Sequence, residues 1–83
     1  MKKITVYSTT TCPYCKMLTR WLNDKKISYT EYKVDQNPFA AQSMINLSGQ
    51  MGVPFTTVED ESGNITNKIL GFDINQLQIA VNS

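Results

Sequence analysis

Thr11-Cys12-Pro13-Tyr14-Cys15-Lys16 lies between a run that alternates as a strand, Ile4-Thr5-Val6-Tyr7, and a run with the apolar spacing of a helix. The chain has two cysteines, and both fall in this stretch. Pro13 suits the first position of a helix, because it has no N–H to leave unpaired and its φ is already near the helical value. Cys12 then occupies the N-cap, its sulfur facing the unpaired N–H groups of Tyr14 and Cys15 and the positive end of the helix dipole. A thiolate there is stabilised relative to the thiol, and each unit by which its pKa falls corresponds to roughly 1.4 kcal/mol. Cys12 is therefore the expected nucleophile. Cys15, on the first turn, is placed to attack a mixed disulfide on Cys12 and is the expected resolving thiol. Lys16 either adds a positive charge beside the pair or is a solvated helix residue.

Other uses of the two cysteines fit less well. A structural disulfide closing so short a loop would constrain the unfolded chain very little, and it would not persist in a reducing compartment. A structural zinc site takes about four Cys, His or carboxylate ligands, and this chain has no histidine and no second cysteine pair. No metal is expected.

The 83 residues make one domain, 1–83, short enough for a thin core yet within the range that folds without staples. With 41% hydrophobic and 18% charged residues and a formal net charge of +1, neither disorder nor a nucleic-acid footprint is indicated. No apolar run approaches the ~20 residues that span a bilayer. Met1-Lys2-Lys3 leads directly into an alternating strand and not into a signal segment. A cytoplasmic protein with no membrane or nucleic-acid partner is expected, monomeric by default.

The elements follow from pattern. Lys3 to Tyr7 reads as a first strand, and Ser8 to Thr11 as an uncharged loop. From Pro13 to about Lys26, Met17, Leu18, Trp21 and Leu22 recur at helical spacing. Ile27 to Val34 reads as a second strand, ending at Asp35. Asn37-Pro38 repeats the cap-plus-proline start, and Phe39, Ala40, Met44 and Leu47 form an apolar face before Gly49, giving a helix from Pro38 to about Ser48. The first two strands should then be parallel. Phe55 to Glu59 and Ile65 to Leu70 flank the turn formers Asp60-Glu61-Ser62-Gly63-Asn64 and make an antiparallel hairpin. Asp73 caps a last helix with Gln76 in a capping-box-like position, and Ile74, Leu77 and Val81 form its apolar face. Trp21, Tyr7, Tyr29 and Tyr32 are read as core or strand-surface residues. The class is α/β, in the order β-α-β-α-β-β-α, with a four-stranded mixed sheet flanked by three helices.

That order, with Cys-x-x-Cys between the first strand and helix and Val53-Pro54 opening the third strand, resembles the thioredoxin fold in its minimal glutaredoxin form over nearly the whole chain. Cys12-Pro13-Tyr14-Cys15 looks like the dithiol glutaredoxin active site, preceded by Thr11. The resemblance implies that Pro54 is cis and faces the dithiol, leaving the Val53 backbone free to pair with an extended substrate. Read from the residues alone, Pro54 is equally a strand-opening proline.

The chain departs from ordinary glutaredoxins where they hold glutathione. Their lysine three residues before the nucleophile is here Thr9, and the threonine two residues before the cis-proline is Gly52. Their Gly-Gly pair followed by aspartate is matched by Gly71-Phe72-Asp73. Phe72 puts a ring where close backbone approach is wanted, so glutathione is disfavoured as donor. Gly-Phe is similar to the redoxins linked to ribonucleotide reductase, which implies reduction by thioredoxin reductase and a disulfide-containing protein substrate such as that enzyme. Those redoxins carry their carboxylate further on, at the position of Asn75, and usually lack the Pro-Tyr interior. Phe72 either joins Tyr14 and Met51 in an apolar docking rim or fills the core beneath the last helix. Asp60 and Glu61 are most simply solvated turn residues. The expected activity is that of a thiol–disulfide oxidoreductase with no bound cofactor beyond the redox-active Cys12–Cys15 pair. Alternatives are a glutathione-dependent glutaredoxin, an iron–sulfur carrier and a redox-sensing adaptor.

Overall fold

Two hydrophobic layers sandwich one sheet. The computed structural model describes residues 2–82, and Met1, read above with Lys2 and Lys3 as the lead-in to the first strand, lies outside them. The elements are β1 (Lys3–Ser8), α1 (Pro13–Asp24), β2 (Thr30–Lys33), α2 (Pro38–Ser48), β3 (Phe55–Glu59), β4 (Ile65–Leu70) and α3 (Ile74–Asn82). The sheet has four strands in the order β2-β1-β3-β4. β1 and β2 are parallel, whereas β1–β3 and β3–β4 are antiparallel.

The period-2 alternation of the strands decides which helix each residue meets. Ile4 and Val6 of β1, Val58 of β3 and Ile69 of β4 pack with Leu18 and Leu22 of α1 and Leu77 and Ala80 of α3. The other face packs Tyr7 and Phe55 against Ala40 and Met44 of α2. Tyr7 stacks between Tyr32 and Phe55, with ring centroids 5.9 and 6.0 Å apart, and burial pushes its phenol pKa up.

The caps account for most helix ends. Asn37 Oδ1 accepts the N–H groups of Phe39 and Ala40, each at 3.1 Å, and Gly49 closes α2 in the left-handed region at φ 72°. Asp73 accepts from the Gln76 backbone at 3.2 Å and from its side-chain amide at 2.8 Å. The hairpin turn is held by Asp60 Oδ1, which accepts from the N–H groups of Ser62 and Asn64 at 2.9 and 3.0 Å.

Several expected boundaries and faces shift. α1 stops at Asp24, short of Lys26, because Lys26 adopts φ 57°. The N–H of Ile27 then donates to Leu22 O at 2.9 Å and that of Lys26 to Asn23 O at 3.0 Å, a Schellman closure that also carries Ile27 onto the core beside Leu22. Residues 25–29 are spent on that turn, so β2 begins at Thr30 and not at Ile27. β1 runs one residue further than expected, because Ser8 pairs with Lys33. Phe39, at the second position of α2, points into solvent with 86% of its surface exposed, and Met17 and Ile74 are also on exposed faces.

Candidate active site

The carboxyl end of β1 gathers the site. A short loop carries the chain from Ser8 to Pro13, and Thr9 O accepts the Cys12 N–H at 3.4 Å as the loop turns into α1. Cys12 is the N-cap of α1, with β-region φ and ψ and Pro13 at the first helical position. Its sulfur accepts the Cys15 N–H at 3.1 Å. Of the two N–H groups expected at that sulfur, the one on Cys15 donates. Cys12 and Cys15 are disulfide-bonded, with Cα atoms 5.2 Å apart. Cys12 retains 8% of its surface and Cys15 only 1%, so an incoming disulfide can reach Cys12 first.

β3 runs antiparallel to β1 with Tyr7 opposite Phe55, which sets Val53 and Pro54 at the same end of the sheet as the dithiol loop. The Val53–Pro54 peptide bond is cis, as the resemblance implies. Pro54 is buried, and Val53 is half-buried and lies ahead of the first ladder pair. The Gly71 N–H donates to Pro54 O at 2.8 Å, so Gly71, at φ 81°, is tied to the same end. That conformation suits glycine. Gly52 donates to the Gln50 side chain in the loop before them.

The remaining expected site residues divide. Thr11, Pro13, Tyr14 and Lys16 are exposed, and Tyr14 and Met51 present large apolar surfaces, 62% and 71% accessible. Phe72 is half-buried and packs against the cluster beneath α1 and α3, as the core reading of this ring has it. Asp73 is half-buried and occupied in capping α3.

Two polar links near the site carry no motif. The Asp35 carboxylate accepts the Thr10 N–H at 3.1 Å, and the Gln36 amide donates to Thr10 Oγ1 at 3.1 Å, so the β2–α2 connection clamps the loop ahead of Cys12. Hydrogen bonding from Thr10 holds the Asp35 carboxyl below its ordinary range. The buried Ser8 hydroxyl donates to Glu31 Oε2 at 2.8 Å. Each joins residues 23 or more apart in sequence, and the signal available was the parallel pairing of β1 with β2.

Among the described residues, no helix is long and apolar enough to cross a membrane. A glutaredoxin family model matches residues 4–62. An uncharacterised glutaredoxin-like 8.6 kDa protein of a Clostridium pasteurianum rubredoxin operon is 37% identical over 84% of this chain and 85% of its own length. The glutaredoxin-like protein NrdH of Lactococcus lactis subsp. cremoris is 33% identical over 69% of this chain and 78% of its own. Glutaredoxin 3 of Escherichia coli is 35% identical over 65% of each chain. In fold, a glutaredoxin from Archaeoglobus fulgidus superposes with a TM-score of 0.83 at 19% identity, covering 100% of this chain and 89% of that one. The NrdH-redoxin of Escherichia coli gives 0.76 at 21%, covering 93% and 92%. A strand, a cysteine-capped helix and a cis-proline strand meeting at one sheet end, together with these relatives, make the chain a thiol–disulfide oxidoreductase of the glutaredoxin family.

Proposed function

We propose that the protein reduces disulfides in protein substrates and is itself reduced by thioredoxin reductase. The Cys12 thiolate attacks one sulfur of the substrate disulfide, forming a mixed disulfide and releasing the other sulfur as a thiolate that takes up a proton. The Cys15 thiolate then attacks Cys12 Sγ and releases the second substrate thiol. Two electrons and two protons pass to the substrate, and the Cys12–Cys15 disulfide remains. The observation that carries this reading is the hydrogen bond from the Cys15 N–H to Cys12 Sγ, because the same donor and the helix N-terminus would stabilise a thiolate at that atom.

In this reading Val53, outside the ladder beside Pro54, offers its backbone to an extended substrate segment, with Gly71 fixing that strand end. Thr11, Tyr14 and Met51 supply the exposed rim, and Lys16 adds positive charge. Thioredoxin reductase is preferred because Thr9 lacks the cation that would pair with a glutathione carboxylate, while Phe72 is a core ring and Asp73 serves its own helix. Ribonucleotide reductase is the first substrate to assay, given the Gly71-Phe72 pair shared with the redoxins linked to it. The chemistry requires a reducing compartment such as the cytoplasm.

Glutathione as donor is the second reading, supported by the glutaredoxin family match and by Gly71, whose N–H is tied to Pro54 O at the same sheet end. An NADPH-coupled assay of disulfide reduction separates the two, one arm with thioredoxin reductase and the other with glutathione and glutathione reductase. Turnover confined to the first arm is expected. Turnover confined to the second would overturn the assignment of donor.

A further inference from the structure

We infer that the Thr56 hydroxyl is the hydrogen-bond partner of the Cys15 sulfur in the reduced protein, and that it biases the couple toward the dithiol. The placement comes from topology. Cys15, Leu18 and Leu22 are the buried residues of α1 and form one stripe along it. Leu18 and Leu22 pack on the face that holds Ile4 and Val6 of β1 and Val58 of β3. By register, Val58 lies opposite Ile4 and Thr56 lies opposite Val6, so Thr56 belongs to that same face. α1 runs back along the sheet from the carboxyl end of β1 to the start of the parallel β2. Its amino end, with Cys15, therefore overlies the end of the sheet where β3 begins.

Two hydroxyls occupy that end of the face, Ser8 and Thr56, both fully buried. The Ser8 hydroxyl is engaged as the donor of a hydrogen bond to Glu31 Oε2. Thr56 Oγ1 has no hydrogen-bond partner among the described residues. Burying a hydroxyl without a partner costs stability, and valine would fill nearly the same volume without that cost. The orphan hydroxyl belongs to the oxidised state, in which Cys15 Sγ is tied to Cys12 and has no proton. Reduction adds two electrons and two protons to the pair and turns Cys15 Sγ into a thiol or thiolate. That sulfur can donate, and as a thiolate it accepts strongly. With 1% of Cys15 exposed, its partner must come from the protein interior.

The test is the equilibrium of protein disulfide plus two glutathione with protein dithiol plus glutathione disulfide, measured for the wild type, Thr56→Val and Thr56→Ser. This titration uses glutathione as a chemical buffer, so it is independent of which enzyme donates electrons. One net hydrogen bond lost from the dithiol state shifts the Thr56→Val equilibrium about fivefold toward the disulfide, or about 20 mV. Thr56→Ser, which keeps the hydroxyl, stays within about twofold of the wild type. In denaturant titrations, Thr56→Val raises the stability of the oxidised protein and not that of the reduced one. An unchanged equilibrium in Thr56→Val, or equal shifts in Thr56→Val and Thr56→Ser, would overturn the inference.

Discussion

Asp35 Oδ2 accepts the backbone N–H of Thr10 at 3.1 Å, across 25 residues of chain. The bond ties the end of β2 to the loop that delivers Cys12, so the site is braced from an element that contributes nothing to the dithiol motif. Asp35 is exposed, and its carboxyl is held below the ordinary value, chiefly by hydrogen bonding from Thr10. A depressed carboxyl pKa contributes stability that is complete above the unfolded value near about 3.9 and is lost as pH falls through the folded value. Asp35→Asn should therefore melt below the wild type at pH 7, and the gap should close once the pH lies below the folded pKa. Thermal melts across pH 2–7 measure it, and a gap that does not change with pH would mean that the charge is immaterial.

Cys12 should be the faster of the two thiols toward an alkylating agent. The helix N-terminus and the Cys15 N–H both favour its thiolate, whereas Cys15 is buried. In the reduced protein, limited iodoacetamide should modify Cys12 first, with a reaction midpoint below the free-thiol value of about 8.5. Peptide mapping against pH reads both.

The sequence carried α2, β3 and β4 to the residue, because their ends are written in local chemistry: Asn37-Pro38 and Gly49, then the Asp60–Asn64 turn. The dithiol and its cap were legible for the same reason. α1 ended early because Lys26 takes a left-handed φ that lysine side chains seldom adopt, so no residue type announced the turn. Phe72 could not be placed from composition, since its packing against the α1–α3 cluster depends on long-range contacts that no local pattern announces. Asp35 and Thr56 gain their settings from strand pairing, which brings together residues that no local pattern links.

Phe72→Ala should destabilise the fold without altering substrate docking. Its ring is half-buried against the α1–α3 cluster, so its loss should cost about 1–3 kcal/mol. A chain of this size would then melt roughly 5–20 °C lower. KM for a protein disulfide should stay within about twofold of the wild type. A raised KM with unchanged stability would return Phe72 to the docking rim.

Thr9→Lys should restore part of a glutathione site. A new exposed ion pair is worth about 0.2–1 kcal/mol, so the variant should bind reduced glutathione up to about fivefold more tightly than the wild type, and the gain should fade with salt. Titration of both proteins with glutathione at low and high ionic strength measures this, and an unaltered affinity would show that Thr9 is not what limits the site.

The division of labour between the two cysteines is tested most directly by trapping the mixed disulfide. Reduced Cys15→Ser protein mixed with a disulfide-containing protein should accumulate a covalent adduct through Cys12, visible by intact mass and dissolved by dithiothreitol. Cys12→Ser protein should form none. An adduct through Cys15 in the Cys12→Ser protein, or no adduct with Cys15→Ser, would contradict the assignment of Cys12 as the attacking thiol.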